Sequence, residues 1–458
     1  MHGSVDPTVT GDPVVAAAAE VLARAGVGAG RRLCCALSGG VDSVVLFELL
    51  RQLQPVFGFR LSAAHVHHGL SPHADAWSQA CAARCAMAGV VLQVFRVTVE
   101  RGHGEGLEAA ARTARHAALD GVACDWLVFG HHQDDQAETL LLRLLRGTGV
   151  RGAAAMAAIV PARGVRRGRL RPLLALRRAQ IVDWARRNGL CWVEDESNAE
   201  LHFTRNALRH RVLPAVESLF PAAVPALARA SANFAEADAL LAELAALDAG
   251  ACGGGPWRRT SLLALSPARQ ANLLRWQVRE QGGQAPPRAR VDEALRQLGS
   301  VAADRPLRVS LGDWVCCAYR EQVWVEPAAV VQALACAWRG EAMLPWGSGV
   351  VRFERGIGTG LAVSRLEAAQ GLRLAPRSAA MKLQLAPNRP RRDLRKLCQE
   401  AGIPAWMRDR LPVLWADDEP VWVAGIGVAA GHACAADEPG VLPRWQPVGQ
   451  GPGLIPPL

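Results

Sequence analysis

Three short stretches of this chain hold side chains that could do chemistry. The first is Ser38-Gly39-Gly40-Val41-Asp42-Ser43. Glycines at such a place let the backbone turn tightly and let phosphate oxygens approach its amides. A helix beginning just after them adds unpaired N–H donors and a partial positive charge. Ser38 and Ser43 add hydroxyls, and Asp42, which alone would repel phosphate, suggests a Mg²⁺ that both can share. The plainer alternative is a strand-to-helix turn with Asp42 or Ser43 capping the helix.

The second stretch is His65-Val66-His67-His68-Gly69-Leu70, and the third is Gly130-His131-His132-Gln133-Asp134-Asp135-Gln136-Ala137-Glu138-Thr139. Asp135 and Glu138 have the spacing of a capping box, which accounts for one or two acids at a helix start. It accounts less well for three acids and two histidines together, because facing carboxylates cost energy unless a cation joins them. Arg112 and Arg115, three apart, share a helix face from which either can reach a phosphate, although such a pair is also what a solvated face looks like.

The elements around these stretches set their positions. Apolar runs at Arg32–Leu37, Leu61–Val66, Val90–Val97 and Trp126–Phe129 read as strands. Helical periodicity marks Val41–Leu53, Asp75–Ala88, Leu107–Val122 and Asp134–Arg146. Strand and helix in alternation predict a parallel sheet covered on both faces. In such sheets ligands bind beyond the C-terminal strand ends, where all three stretches fall. Past Arg163 the alternation breaks. A helix is expected over about 177–188 and a long one over 222–249, followed by a Gly-rich linker, Gly250–Pro256. Further helix is expected over 267–298 with a break at Pro286–Pro287, then short strands at Arg308–Val309 and Trp324–Val325. A third unit starts near Trp338, and Pro443–Leu458 reads as a loose tail.

The chain has 458 residues and a net charge of +10, carried almost wholly by arginine. The excess favours a polyanionic partner. Lysine occurs only at Lys382 and Lys396, which excludes a Walker-A loop and a lysine nucleophile in the first two-thirds of the chain. The twelve cysteines include no C-x-x-C, so zinc-ribbon and iron–sulfur spacing is missing and reduced, cytoplasmic thiols are expected. No apolar run reaches the ~18–20 residues of a membrane span, so no membrane association is expected.

The Ser-Gly-Gly-x-Asp-Ser loop after a first strand resembles that of the ATP-cleaving PP-loop enzymes. Further stretches sharpen the resemblance: Arg143-Leu144-Leu145-Arg146-Gly147-Thr148-Gly149, Arg171-Pro172-Leu173-Leu174, Glu194-Asp195-Glu196-Ser197-Asn198 and Thr204-Arg205-Asn206-Ala207-Leu208-Arg209-His210. With the acidic stretch, their order is similar to the tRNA-isoleucine lysidine synthase family. The resemblance implies an α/β, Rossmann-like PP-loop adenylating domain with a parallel sheet (1–220), a mainly helical middle domain (221–335) and a small α+β C-terminal tRNA-binding domain with a disordered tail (336–458). It implies that ATP and Mg²⁺ are used to adenylate the first anticodon cytidine of the CAU-anticodon isoleucine tRNA, and that free L-lysine then displaces AMP at C2.

By the same resemblance Asp42, Asp134, Asp135, Glu138 and Arg112 are the catalytic candidates. Ser38, Gly39, Gly40, Val41, Asp42, Ser43 and His65 would bind the nucleotide, with Asp42 on the metal. Arg171, Arg205, Asn206, Arg209, Arg391, Arg392 and Arg395 would meet tRNA, and a homodimer is weakly implied. One departure stands out: the family's Arg-x-Gly-Gly-Glu is matched here by Arg377-Ser378-Ala379-Ala380-Met381. The competing readings are a tRNA thiolase of the same superfamily, which the missing C-x-x-C disfavours, a small-molecule ligase and a non-catalytic tRNA-binding protein.

Overall fold

The computed structural model describes residues 11–99, 107–162, 167–194, 196, 204–302, 305–329, 332–378 and 380–447. Arg163, Asp195, Ser197, Asn198 and Ala379, singled out above, lie outside them. The chain divides into two compact units, Met1–Leu240 and Leu241–Leu458.

The first unit is a six-stranded sheet: β1 (Arg32–Ala36), β2 (Arg60–His67), β3 (Val91–Arg96), β4 (Trp126–Val128), β5 (Ile159–Val160) and β6 (Gly168–Leu170). The order is β3-β2-β1-β4-β6-β5, parallel except for β5, which runs antiparallel to β6. The expected alternation is present. The two short strands β5 and β6 were not foreseen, being two and three residues long in arginine-rich sequence.

Strand β1 explains why both sheet faces are covered. Leu33 and Cys35 point into one core with Val44, Leu46, Leu50 and Trp184, while Cys34 points into another with Leu119, Leu127 and Phe129. Successive residues of a strand face opposite ways, so a run buried throughout needs helices on both sides. On the first side lie α1 (Pro13–Arg24), capped by the Asp12 carboxylate on the Val14 N–H at 2.8 Å, and α2 (Val41–Phe57). Leu46, Leu49, Leu50 and Leu53 of α2 are fully buried, each contributing roughly 1.5–3 kcal/mol. The other helices are α3 (Ala74–Met87), α4 (Leu107–Asp120), α5 (Gln133–Leu144), α6 (Val150–Ala153), α7 (Arg178–Arg187), α8 (Thr204–Ala207), a π-helical turn at Leu208–Val212, α9 (Leu213–Leu219) and α10 (Ala223–Ala251).

The second unit opens on helices Arg259–Ala264, Pro267–Glu280 and Arg288–Ser300, with the break where Pro286–Pro287 was expected to put it. They pack on a four-stranded sheet whose central hairpin is Trp314–Tyr319 with Gln322–Pro327. That hairpin serves two cores. Cys316, Ala318, Val323 and Val325 face the helices, whereas Val315, Cys317 and Trp324 join Trp346, Leu414 and Trp422 beyond. A five-stranded and a four-stranded sheet follow, with helix Leu394–Glu400 between their strands in the chain. Pro443–Pro447, expected in a loose tail, instead completes strand Pro439–Pro447, paired residue for residue with Gly349–Ile357. Its prolines fall among apolar side chains, Val441 and Trp445, that offset the cost of ordering by packing.

Candidate active site

The loops after β1, β2 and β4 meet at one sheet edge and line a cavity of about 270 Å³. Its walls include Ser38, Gly40, Asp42 and Ser43 from the first loop, and His65 and His67 from β2. Arg115 of α4 and Phe129, His131 and Asp135 around the start of α5 complete it.

The first loop is held largely by its own atoms, and the Val193 N–H donates to the Gly39 carbonyl at 3.0 Å. The Ser43 hydroxyl donates to the Gly40 carbonyl at 2.9 Å and accepts from the Ser38 and Gly39 N–H groups at 3.1 Å each. Ser43 therefore tightens the turn, and its hydroxyl proton is directed inward. Gly39 has a φ of 94°, where other residues are strained, and a Cβ there would come within 2.8 Å of Val193. Gly40 is the N-cap of α2 with no side-chain cap, so the amides of the first turn remain open to an anion. Neither Asp42 nor Ser43 caps that helix, which removes the plainer alternative.

Gly130 brings the second wall close. A Cβ on it would lie 2.8 Å from the Asp42 carbonyl, so only glycine lets the β4–α5 loop sit against the nucleotide loop. The helix cap there is His132 with Asp135. Asp135 accepts the His132 N–H at 3.1 Å, and the His132 ring accepts the Asp135 N–H at 3.4 Å. The expected box, Asp135 with Glu138, is thus displaced by one turn because the helix begins at Gln133.

His132 is buried among three carboxylates: its ring nitrogens lie 3.4 Å from Asp135, 3.6 Å from Asp134 and 3.8 Å from Asp42. Burial alone would lower its pKa, but hydrogen bonding to Asp134 and the charges of Asp135 and Asp42 raise it above the ordinary value. Burial pushes Asp42 up. Its Oδ1 is buried with no hydrogen-bond partner. His65 is buried too, and its Nδ1–H donates to the Leu37 carbonyl at 2.9 Å, so burial keeps it neutral and leaves Nε2 as an acceptor.

The acids have partners that the sequence did not reveal. Asp134 takes Arg177 at 3.1 Å and the Arg178 N–H at 2.8 Å. Against the effect of burial, these and His132 hold its carboxyl well below the carboxylate range. Glu138, fully buried, is gripped by Arg205 at 2.7 Å and Arg209 at 2.6 Å. Both arginines also reach Asp135, at 2.9 and 3.1 Å. Burial opposes ionisation of Asp135, but His132 and Arg205 outweigh it and lower its pKa. Only Asp135 of these three acids lines the cavity.

Arg205 and Arg209, expected at the tRNA backbone, thus point inward onto the acids. A guanidinium three-quarters buried beside two carboxylates is matched there rather than offered to solvent. Arg171 donates to the Ala157 carbonyl at 2.7 Å and lies over the Phe129 ring, and burial lowers its pKa to about 10. Asn206 is half-buried on α8. In the second unit Arg391 pairs with Glu419 at 2.6 Å, Arg392 pairs with Glu400 at 2.9 Å, and Arg395 is exposed on helix Leu394–Glu400. Arg377, beside the altered Gly-Gly-Glu segment, pairs with Asp409 at 2.8 Å. Arg115 faces the cavity; Arg112, one turn earlier, is exposed and acts there through its charge on His131.

Sequence reasoning placed Arg177 at a helix start, in an arginine cluster (163–187) read as a candidate tRNA contact, and missed its pairing with Asp134; it opens that helix three residues ahead of Gln180, which caps its N–H at 2.9 Å. Among the described residues no cluster of three or more His, Cys, Asp or Glu side chains has metal-binding geometry, and no single helix is long and apolar enough to cross a membrane.

An open helix start behind a Gly-Gly turn, at the strand-order switch between β1 and β4, defines a nucleotide-binding domain of the ATP-using PP-loop class. A PP-loop domain model matches residues 15–216, a TilS substrate-binding domain model residues 258–324 and a TilS C-terminal domain model residues 372–445. The tRNA(Ile)-lysidine synthase of Azoarcus sp. (strain BH72) is 55% identical, covering 94% of this chain and 95% of its own length. That of Aromatoleum aromaticum is 56% identical over 93% of this chain and 100% of its own, and that of Nitrosomonas europaea 37% over 93% and 94%. The chain belongs to the tRNA(Ile)-lysidine synthase family.

Proposed function

We propose that the chain adenylates the 2-oxygen of the first anticodon cytidine of an isoleucine tRNA with a CAU anticodon, and then joins the ε-amine of free lysine to C2, releasing AMP. The observation that carries this reading is the meeting, in one cavity, of an open nucleotide loop and a carboxylate, Asp135, in a chain so similar to enzymes of that name. The amides of the α2 start and Arg115 take the phosphates, with Arg112 adding charge behind it.

The buried, unpartnered Oδ1 of Asp42 is a donor fit for Mg²⁺, which characteristically takes one or two carboxylates together with substrate phosphates. Bound there, the ion would neutralise the leaving pyrophosphate. Asp135 faces the reacting atoms and receives the lysine ammonium. An amine with a solution pKa near ~10.4 must lose a proton before it attacks, and the Asp135 carboxylate that orients the ammonium is the group that takes that proton. Asp134 and Glu138 hold the positions of Arg177, Arg205 and Arg209. Contacts to tRNA phosphates fall to Asn206, to the exposed Arg391 and Arg395 and to the half-buried Arg392. Surface ion pairs are worth only about 0–1 kcal/mol, so Arg391 and Arg392 can exchange them for phosphate.

The test uses the protein with Mg-ATP, labelled lysine and a CAU-anticodon isoleucine tRNA transcript, with methionine tRNA as control. Label in the isoleucine tRNA alone, with AMP released, is the expected result. AMP without label would move the choice to another nucleophile, as in a thiolase. No AMP would favour a tRNA-binding protein.

A further inference from the structure

The cavity holds an imidazole that this mechanism leaves unused. His131 lines it from the β4–α5 loop, next to Gly130, which presses on the Asp42 backbone. Its ring lies 5.7 Å from Phe129, whose other neighbours are His116 at 6.0 Å and the Arg171 guanidinium at 5.9 Å. The His131 Nδ1 is buried and has no hydrogen-bond partner. A buried N–H without an acceptor is rarer and more costly than a buried lone pair without a donor. The proton therefore belongs on Nε2. Protonating both nitrogens would strand a charged donor in the same place, and burial accordingly drives the pKa down to about 3. At any working pH the residue is a neutral imidazole whose single N–H is on the nitrogen not enclosed.

The reacting base must enter this cavity, because its 2-oxygen attacks a phosphate held by residues 38–43. Cytosine differs from uracil at N3, which is a bare acceptor in the first and an N–H in the second. A fixed neutral donor accepts the first and opposes the second. When the amine adds to C2, electron density moves onto N3, so the same hydrogen bond strengthens as the reaction proceeds. Resting on the function proposed above, we infer that His131 is a specificity residue that donates its Nε2–H to N3 of the target cytosine. Histidine at this place combines the reach of a side-chain donor with a ring that packs on Phe129.

The experiment pairs protein and substrate changes. Wild type, His131→Leu and His131→Gln are assayed for lysine incorporation into CAU-anticodon transcripts carrying cytidine or 3-deazacytidine at the first anticodon position. ATP and tRNA affinities are measured alongside. The leucine variant is expected to lose about tenfold in kcat/KM on cytidine, with ATP affinity unchanged, and 3-deazacytidine to cost the wild type a similar factor. The two changes together should cost no more than either alone. Glutamine, whose amide N–H reaches about as far, should stay within about threefold of wild type on cytidine. Losses that multiply to about a hundredfold, or a leucine variant as fast as wild type, would overturn the inference. If the leucine variant loses ATP affinity through misfolding, the wild type decides: equal rates on cytidine and 3-deazacytidine overturn the assignment. A wild type inactive on the cytidine transcript would instead overturn the function, and this inference with it.

Discussion

The two walls of the cavity are built in opposite ways. The nucleotide loop is made mostly by neighbours: the side-chain hydrogen bonds that fix residues 38–43 span five residues or fewer, and one distant backbone bond, from the Val193 N–H to the Gly39 carbonyl at 3.0 Å, is added to them. The acid wall is made by strangers, since Glu138 and Asp135 are fixed by Arg205 and Arg209, about seventy residues later in the chain. The loop leaves its amides and the Asp42 oxygen unmatched, which suits a ligand that arrives with charge. The acid wall is matched in advance. Asp135 keeps its charge although buried, because two guanidiniums and His132 sit beside it. A wall that depends on distant partners requires the whole first unit to be folded, whereas the loop rests mainly on β1 and α2, with Val193 as its one distant hydrogen-bond tie.

The largest effect should come from the one acid that belongs to both the wall and the cavity. Asp135→Asn is expected to lower lysine transfer by about 10²–10⁴-fold. ATP-dependent adenylation, read as pyrophosphate release, should fall far less, because the loop stays intact. Equal loss of both half-reactions would mean that the walls act as one and would break the comparison. Glu138→Gln tests the strength of the wall without touching the cavity. It leaves two buried guanidiniums short of charge, and a cost of about 3 kcal/mol in denaturant unfolding is expected. Gly130→Ala tests the seam between the walls. The added methyl meets the Asp42 backbone, not a flexible side chain, so a loss of about 1–3 kcal/mol is expected together with weaker ATP binding. An alanine variant with unchanged ATP affinity would show that the seam can open.

This difference in construction also decides what the sequence makes legible. Ser38-Gly39-Gly40-Val41-Asp42-Ser43 is readable because local turn and helix-start physics determine it. The strands β1 to β4 are readable from apolar runs. Arg205 and Arg209 are visible as basic residues in a family stretch, yet the sequence does not tell which way they face: Arg205 lies on the short helix α8 and Arg209 on a π-helical turn at Leu208–Val212 that no periodicity announces. For the same reason an arginine-rich composition suggests a phosphate-binding surface, yet many of the arginines prove to serve carboxylates, Arg177, Arg205 and Arg209 at the acid wall among them. The strand Pro439–Pro447 was unreadable because proline and glycine signals are local, while its pairing with Gly349–Ile357 spans ninety residues.

The smallest effect sharpens the comparison at its edge, in Asp134, which is bound to Arg177, to the Arg178 N–H and to His132. Its folded pKa is depressed, so the stabilisation from its ionised form is fully present above its unfolded value near ~3.9 and is lost as pH falls through the folded value. Asp134 is partly exposed, so the gain is screened and discounted to about 1 kcal/mol. Acid unfolding followed by circular dichroism should begin at higher pH as acids are neutralised, and Asp134→Asn should remove part of the slope below about pH 4 without changing stability's dependence on pH near neutrality. An unchanged acid limb in that variant would show that Arg177 is held by Glu217, at 2.9 Å, with Asp134 merely nearby. The acid wall would then reach only as far as Asp135 and Glu138.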